Sequence, residues 1–359
     1  MGPTGPFGGA RVTSEKQARL SDGRYTQRMS NQWRVLAASM AASFALLALA
    51  GCGPAAATTA TVKPGLASVA SAGSLQLLMD KYLGPPFIKG TGNQYQNQSA
   101  GSQGLAQEIL AGEITPNVFI PIGAAPMQLL EPRFTKWAVQ FAASPLVVAY
   151  YPKGPHAAEL AKIAKGQLPI KDLFTLMATP GFRLGRTNPA VDPQGQAFIE
   201  MIHLAQKYLG VSAATAYSDL GGSHGSSQIF SETGLEPTLQ AGELDAASAF
   251  LPQAVQLGLP YVALPDQINF GSPKDLAIYQ AASLELATGQ VVHGSLLDLE
   301  ASVLNVGGSP AAAAAFVKFL LGAQARRTLT NEGYTILPPV LLGQRSAAPR
   351  SIRDLVRPT

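Results

Sequence analysis

From residue 66 onward the chain alternates between two kinds of segment. Residues 66–72 (LASVASA), 118–121 (VFIP), 146–151 (LVVAYY), 244–251 and 261–264 are short runs of small apolar or β-forming residues. LVVAYY has no polar alternation, the pattern of a strand covered on both faces. Between these runs lie stretches at helical spacing: 74–82, 104–111 (GLAQEILA), 195–209 and the alanine-rich 311–321 ending at Gly322. In 195–209, Phe198, Ile202, Ala205 and Leu209 fall on one side. Strands alternating with helices predict an α/β fold with sheets flanked by helices.

The first 65 residues break this rhythm. Residues 32–50 (QWRVLAASMAASFALLALA) are apolar after Arg34 and run into Leu49-Ala50-Gly51-Cys52. A charged start, an apolar stretch and a small-residue exit read as a secretory signal over 1–51. Residues 1–28 carry no apolar periodicity, so Met29 is the expected start of translation. The exit resembles the lipobox of bacterial lipoproteins, in which the cysteine is acylated. That resemblance implies a lipid on Cys52, an extracytoplasmic location and attachment to the cell membrane. The alternative is a single membrane-spanning anchor with a chance cysteine. Residues 52–65 read as a flexible tether.

Charge changes the picture in one respect. Of 26 Lys and Arg, six lie in 1–51, as do two of the 22 Asp and Glu, which leaves the remaining chain balanced. A nucleic-acid binder keeps its basic patch in the folded domain, so that class is excluded. With 47% hydrophobic and 13% charged residues, the body has the apolar content a compact core needs. Cys52 is the only cysteine, which fits an exported protein without disulfides.

Ligands of open α/β sheets sit where strands end and helices begin. Gly and Ser mark three such junctions: Ala72-Gly73-Ser74-Leu75, Gly101-Ser102-Gln103-Gly104 and Ala142-Ala143-Ser144-Pro145. Each offers a hydroxyl, and the first two add backbone N–H groups. The plain alternative is N-capping by serine. Three such junctions with few cations nearby fit a dry pocket that holds an anion through neutral donors.

From these residues the chain resembles the molybdate/tungstate-binding branch of the periplasmic binding proteins. AGSL (72–75), AGSQGLAQEILAGEITPNVFI (100–120), FAASPLVVAYYPKG (141–154) and RTNPAVDPQGQAFIEMIHLAQKYLG (186–210) are similar to that branch in the same order. So are LQAGELDAASAF, LPDQINFGSP and the closing AAAAAFVKFLLGAQARRTLTNEGYTILPP. The resemblance covers about residues 66–340. It implies a two-lobed α/β fold with a central mixed sheet in each lobe, two chain crossovers and a ligand cleft between the lobes. Lobe one would comprise 66–148 plus 265–345, lobe two 149–264, and 346–359 a tail. It further implies capture of an oxyanion, molybdate or tungstate first, by a monomer that delivers it to an ABC permease and its ATPase. No resident cofactor or metal and no enzymatic activity are expected. Ser74, Ser102, Ser144 and Asp192 would contact the ligand, and Asp192 could complete octahedral coordination of the metal. The same Asp-Pro-x-Gly aspartate also reads as a helix cap. Relatives place a glutamate in the strand matching 247–250; here that strand is AASAF, and Glu232 is the available substitute.

The rivals are few. The same fold could carry sulfate, phosphate or another small ligand. Tyr150-Tyr151 superficially fits an iron binder but lies in a strand run, as packing would. Gly221-Gly222-Ser223-His224-Gly225 matches the G-x-S-x-G elbow of serine hydrolases, with Asp245 or Asp266 and His293 following. That motif needs a buried strand before it, and SAATAYSDL is not one. His156, His203, His224 and His293 show no metal-ligand spacing.

Overall fold

The computed structural model describes residues 64–212 and 226–356, all in one compact unit spanning 61–359. The leader, Cys52, nearly all of the tether, and the 221–225 pentapeptide with Ser223 and His224 lie outside the described residues. Among the described residues, no helix is long and apolar enough to cross a membrane.

Two mixed sheets organise the unit. The first has the order β13-β4-β12-β3-β1-β2. Its strands are β1 (Leu66–Ala72), β2 (Gln94–Ala100), β3 (Val118–Ile120), β4 (Trp137–Ala143), β12 (Asp298–Val303) and β13 (Thr335–Gly343). The second has the order β7-β6-β8-β5-β9. It comprises β5 (Leu146–Tyr150), β6 (Leu184–Thr187), β7 (Ile229–Phe230), β8 (Ala246–Phe250) and β9 (Tyr261–Ala263). A separate hairpin joins β10 (Ser283–Glu285) to β11 (Val291–His293). In the first sheet β1 is parallel to β2 and β3, and β12 is antiparallel to β3 and β4. In the second, β6 is parallel to β8, and β5 is antiparallel to β8 and β9.

Helices cover both faces of each sheet, which explains why β5 and β8 are buried along their whole lengths. Val147 and Ala149 face one cluster, with Leu235 and Leu239, while Leu146, Val148 and Tyr150 face the other. The first sheet divides likewise: Ala70, Phe119 and Ala138 pack with Leu105, Ile109, Met127 and Leu130. Those four side chains come from α2 (Ser102–Ala111) and α3 (Ala124–Leu130), which follow α1 (Gly84–Thr91). The second lobe carries α4 (Ala157–Ala164), α5 (Lys171–Met177), α6 (Pro193–Leu209), α7 (Glu232–Gln240) and α8 (Leu251–Leu257).

The structure refines four points. Residues 74–82 are helical as expected, but as a 3-10 turn at Gly73–Leu75 and then a wide π-type turn over Leu78–Leu83 that runs into α1. Pro85 and Pro86 have no N–H to donate, and the wide turn closes instead through Gly84 N–H to the Met79 carbonyl. The change of sheet falls at Ser144-Pro145 and not after 148, because all of β5 pairs with β8. The chain is not back in lobe one at 265. The segment after β9 packs on α6, where His203 Nδ1 meets the Ser283 carbonyl at 3.1 Å, and the first sheet resumes at Asp298. The tail, whose order the sequence left open, packs on the body through residue 356: Ile352 and Val356 are buried, and Arg350–Arg353 packs on α9 (Pro310–Leu320), which precedes α10 (Ala323–Asn331).

Two strands of chain thus pass side by side between the sheets. Ser144 N–H donates to the Leu297 carbonyl, and Leu297 N–H to the Phe270 carbonyl, both at 2.8 Å.

Candidate functional site

The turn after β1 presents two consecutive backbone N–H groups. Gly73 N–H donates to Glu232 Oε2 and Ser74 N–H to Glu232 Oε1, each at 2.8 Å. Glu232 opens α7, which packs on β6 and β8, so this carboxylate reaches across from the second lobe to the first. Glycine at 73 makes the approach feasible, since a Cβ there would stand 2.7 Å from Oε2. The Ser74 hydroxyl lies beside the same carboxylate, buried and without a well-aligned hydrogen bond.

Asp192 stands next to this pair. It caps α6, its Oδ1 accepting from Gln194 N–H at 2.8 Å, with Pro193 in the first turn. Its other oxygen, Oδ2, is buried without a well-aligned hydrogen bond, although the Thr187 hydroxyl lies beside the carboxylate. Close approach fixes the first turn of α6: a Cβ on Gly195 would lie 2.5 Å from the Thr187 carbonyl oxygen. Burial pushes the Asp192 carboxyl up to about 6, against the opposing pull of the Gln194 N–H and the Thr187 hydroxyl. Glu232 is raised further, by burial first and by the Asp192 charge second. Glu236, one helical turn along α7, is pushed by burial to about 8, and its Oε1 has no partner. Burial thus favours a proton in the cluster near neutral pH, on Glu236 first, because its Oε1 has no donor while both Glu232 oxygens accept N–H groups.

The second junction meets the same loop of lobe two. Gln103 and Gly104 N–H groups donate to the Val191 carbonyl at 3.1 and 3.2 Å. A Cβ on Gly101 would lie 2.7 Å from that oxygen and 3.5 Å from the Asp192 Cβ. Ser102 differs from expectation: its hydroxyl turns into its own lobe and accepts from Ile122 N–H at 3.2 Å. Ser144 sits at the chain crossing with a buried, unpartnered hydroxyl. No described contact ties it to the other three serine and aspartate positions. The structure thus gathers Ser74, Asp192 and Glu232, with Ser102 adjacent through the α2 turn.

A cavity of about 280 Å³ opens from this cluster. Gly73, Ser74, Asp80, Glu232, Glu236 and Gln253 are among its lining residues, and no lysine or arginine is. Gln253 was missed by sequence reasoning, as was Gln194. Ser248 Oγ donates to Gln194 Oε1, and Gln194 Nε2 to Gln253 Oε1, each at 3.0 Å. Glu236 was missed too, although two acids one helical turn apart share a helix face and could have signalled it. Nothing in the residue pattern marked the glutamines.

The rival motifs come apart. Asp245 is held by Arg183, Asp266 Oδ1 accepts from Asn269, and His293 lies on the exposed β11. Tyr150 is buried in β5, and the Tyr151 ring crowds Gly242. Within the described residues no group of acidic, histidine or cysteine side chains is arranged to hold a metal ion.

A profile of the bacterial extracellular solute-binding proteins matches residues 67–335. A solute-binding protein of Petrotoga mobilis is 26% identical over 246 residues, 66% of this chain and 74% of that protein. A molybdate/tungstate-binding protein of Pyrococcus abyssi is 26% identical over 249 residues, 64% of this chain and 70% of the relative. The periplasmic molybdate-binding protein of Azotobacter vinelandii has a similar fold, with a TM-score of 0.52 at 16% identity. That likeness covers 77% of this chain and 100% of the other.

Proposed function

The chain belongs to the bacterial extracellular solute-binding proteins, transport components and not enzymes, and from that premise we propose that its solute is a small tetrahedral oxyanion. Molybdate or tungstate comes first, handed to the permease and ATPase of an ABC importer. One observation carries this reading: the Gly73–Ser74 N–H pair already holds two oxygens of an acid, each at 2.8 Å. An oxyanion presents the same oxygen edge, and charge-assisted bonds of this kind are roughly twice as strong as neutral ones.

Ser74 would add a hydroxyl donor, as would Ser144 if closure brings the crossing to the ligand. Asp192 would act through Oδ2, the oxygen its helix cap does not use. An ionised carboxylate repels a dianion unless it bonds the metal centre directly or accepts a proton from the ligand. The first route favours molybdate and tungstate. The second favours a protonated phosphate, and the buried Oδ2 supports that as the second reading. β8 supplies no carboxylate, and Glu232 is the acid that lies against the donor pair.

Titration calorimetry of the full-length protein with tungstate, molybdate, sulfate and phosphate tests the assignment. Tight binding of the first two, weakened at least tenfold in Ser74→Ala, is expected. Binding of phosphate alone would move the solute and keep the site. Anchoring through a lipid on Cys52 belongs to the same proposal. Radiolabelled fatty acid should enter the parent and not Cys52→Ser.

A further inference from the structure

Both sets of backbone donors that lobe one offers at the cleft are taken by acceptors of lobe two. The Gly73–Ser74 pair holds Glu232, and the Gln103–Gly104 pair holds the Val191 carbonyl. The loop before β13 closes a third contact, where a Cβ on Gly333 would meet Val255 of α8 at 3.1 Å. Three contacts thus join the lobes beside the cavity. What remains loosely held is telling: the Ser74 hydroxyl, Asp192 Oδ2 and Glu236 Oε1 are all buried around the same carboxylate without a well-aligned hydrogen bond. Polar atoms rarely accept that position unless a further group visits it.

We propose that Glu232 is the specificity-determining residue of the cleft: its carboxylate occupies the anion position when no solute is present, and only a solute that displaces it enters. This rests on the Gly73–Ser74 turn being the solute site. A carboxylate on a helix start fixed to the second lobe competes at a high effective concentration, because its attack on the N–H pair is intramolecular. It therefore sets a threshold. Weakly held anions lose to the side chain, and a ligand must either bond more donors than two or engage the neighbouring acids. Selectivity then comes from an internal competitor, a negative element of the kind specificity needs. The same contact links the lobes, so its loss loosens the empty, closed form.

The experiment compares the full-length parent with Glu232→Gln and Glu232→Ala, the first nearly isosteric, the second removing the competitor. Tungstate and phosphate are titrated by calorimetry, and the radius of gyration of the solute-free protein is measured by small-angle scattering. Glu232→Ala should bind tungstate at least tenfold tighter, narrow the gap between tungstate and phosphate, and expand when empty. Glu232→Gln should fall between parent and alanine in both readouts. Unchanged or weaker tungstate binding in folded Glu232→Ala would overturn the proposal and make Glu232 a ligand contact or a lobe fastener. If neither anion binds any of the three proteins, the oxyanion reading fails, and scattering still decides the rest. Expansion of the empty variant then supports the internal occupant, and an unchanged radius overturns it.

Discussion

Replacing Gly101 with alanine should hold the cleft ajar without disturbing the fold. The backbone at Gly101 has φ −54° and ψ 128°, a conformation alanine adopts freely, so no local strain follows. The new methyl carbon would lie 2.7 Å from the Val191 carbonyl oxygen, a backbone atom that cannot swing aside. Ordinary contact begins at 3.4 Å, so α2 and the Val191 loop must part by about 0.7 Å. The two hydrogen bonds from Gln103 and Gly104 to that oxygen, now 3.1 and 3.2 Å, then stretch out of range. At about 1 kcal/mol each, their loss costs the closed form about 2 kcal/mol. That is roughly a thirtyfold shift toward the open form, and the same factor off the affinity of any solute bound by closure. Calorimetry with tungstate reads the affinity, and a urea titration checks that the protein still unfolds cooperatively and loses no more than about 2 kcal/mol of stability. Equal affinity in a stable Gly101→Ala protein would refute the reasoning, since it would mean that solute capture does not bring α2 against Val191.

Other changes probe different links. Glu200 is buried in α6 with an unpartnered Oε1, and burial raises its carboxyl from 4.5 to about 8. The folded state holds that proton where the unfolded chain has lost it, so stability should fall as pH rises from about 4.5 toward 8. Glu200→Gln should recover roughly 3 kcal/mol at pH 7 and almost nothing at pH 4, by urea unfolding at both; equal effects at the two pH values would contradict this. Gly195→Ala should lower stability by about 2–3 kcal/mol, because its Cβ would meet the Thr187 carbonyl oxygen at 2.5 Å and the Pro189 nitrogen at 2.8 Å. Asp192→Ala should cost about 1 kcal/mol of cap energy, while Asp192→Asn keeps the cap. If both lose tungstate affinity equally, the carboxylate's charge and not its helix cap serves the solute.

Much of the fold was legible where one physical pattern dominated. LVVAYY read as a doubly covered strand because apolar residues fill both of its faces, and α6 read clearly because Asp192, Pro193 and Gly210 mark its ends. β2 escaped notice: QYQNQSA is polar, as an edge strand paired only with β1 can be. β13 escaped because Pro338 and Pro339 interrupt it, which an edge position with a shifted register tolerates. In the site, Ser74 and Asp192 followed from junction logic, whereas the inward turn of the Ser102 hydroxyl depends on Ile122, twenty residues away. Glu232 was recognised as an available acid, but its place against Gly73 needs both lobes assembled, which no local pattern encodes.

The strand order has a consequence for how the molecule comes into being. β4 is encoded in the first half of the described chain, yet both of its neighbours, β12 and β13, come from the last sixty or so residues. Until those residues emerge, β4 has two unsatisfied edges, while the second sheet can already be complete. Assembly should therefore run from the inserted lobe outward, with the sequence-first lobe finishing last. Such long-range pairing is slow to form. For a chain bound for export, that delay is useful: the polypeptide stays open long enough to be threaded before its final strand locks the sheet.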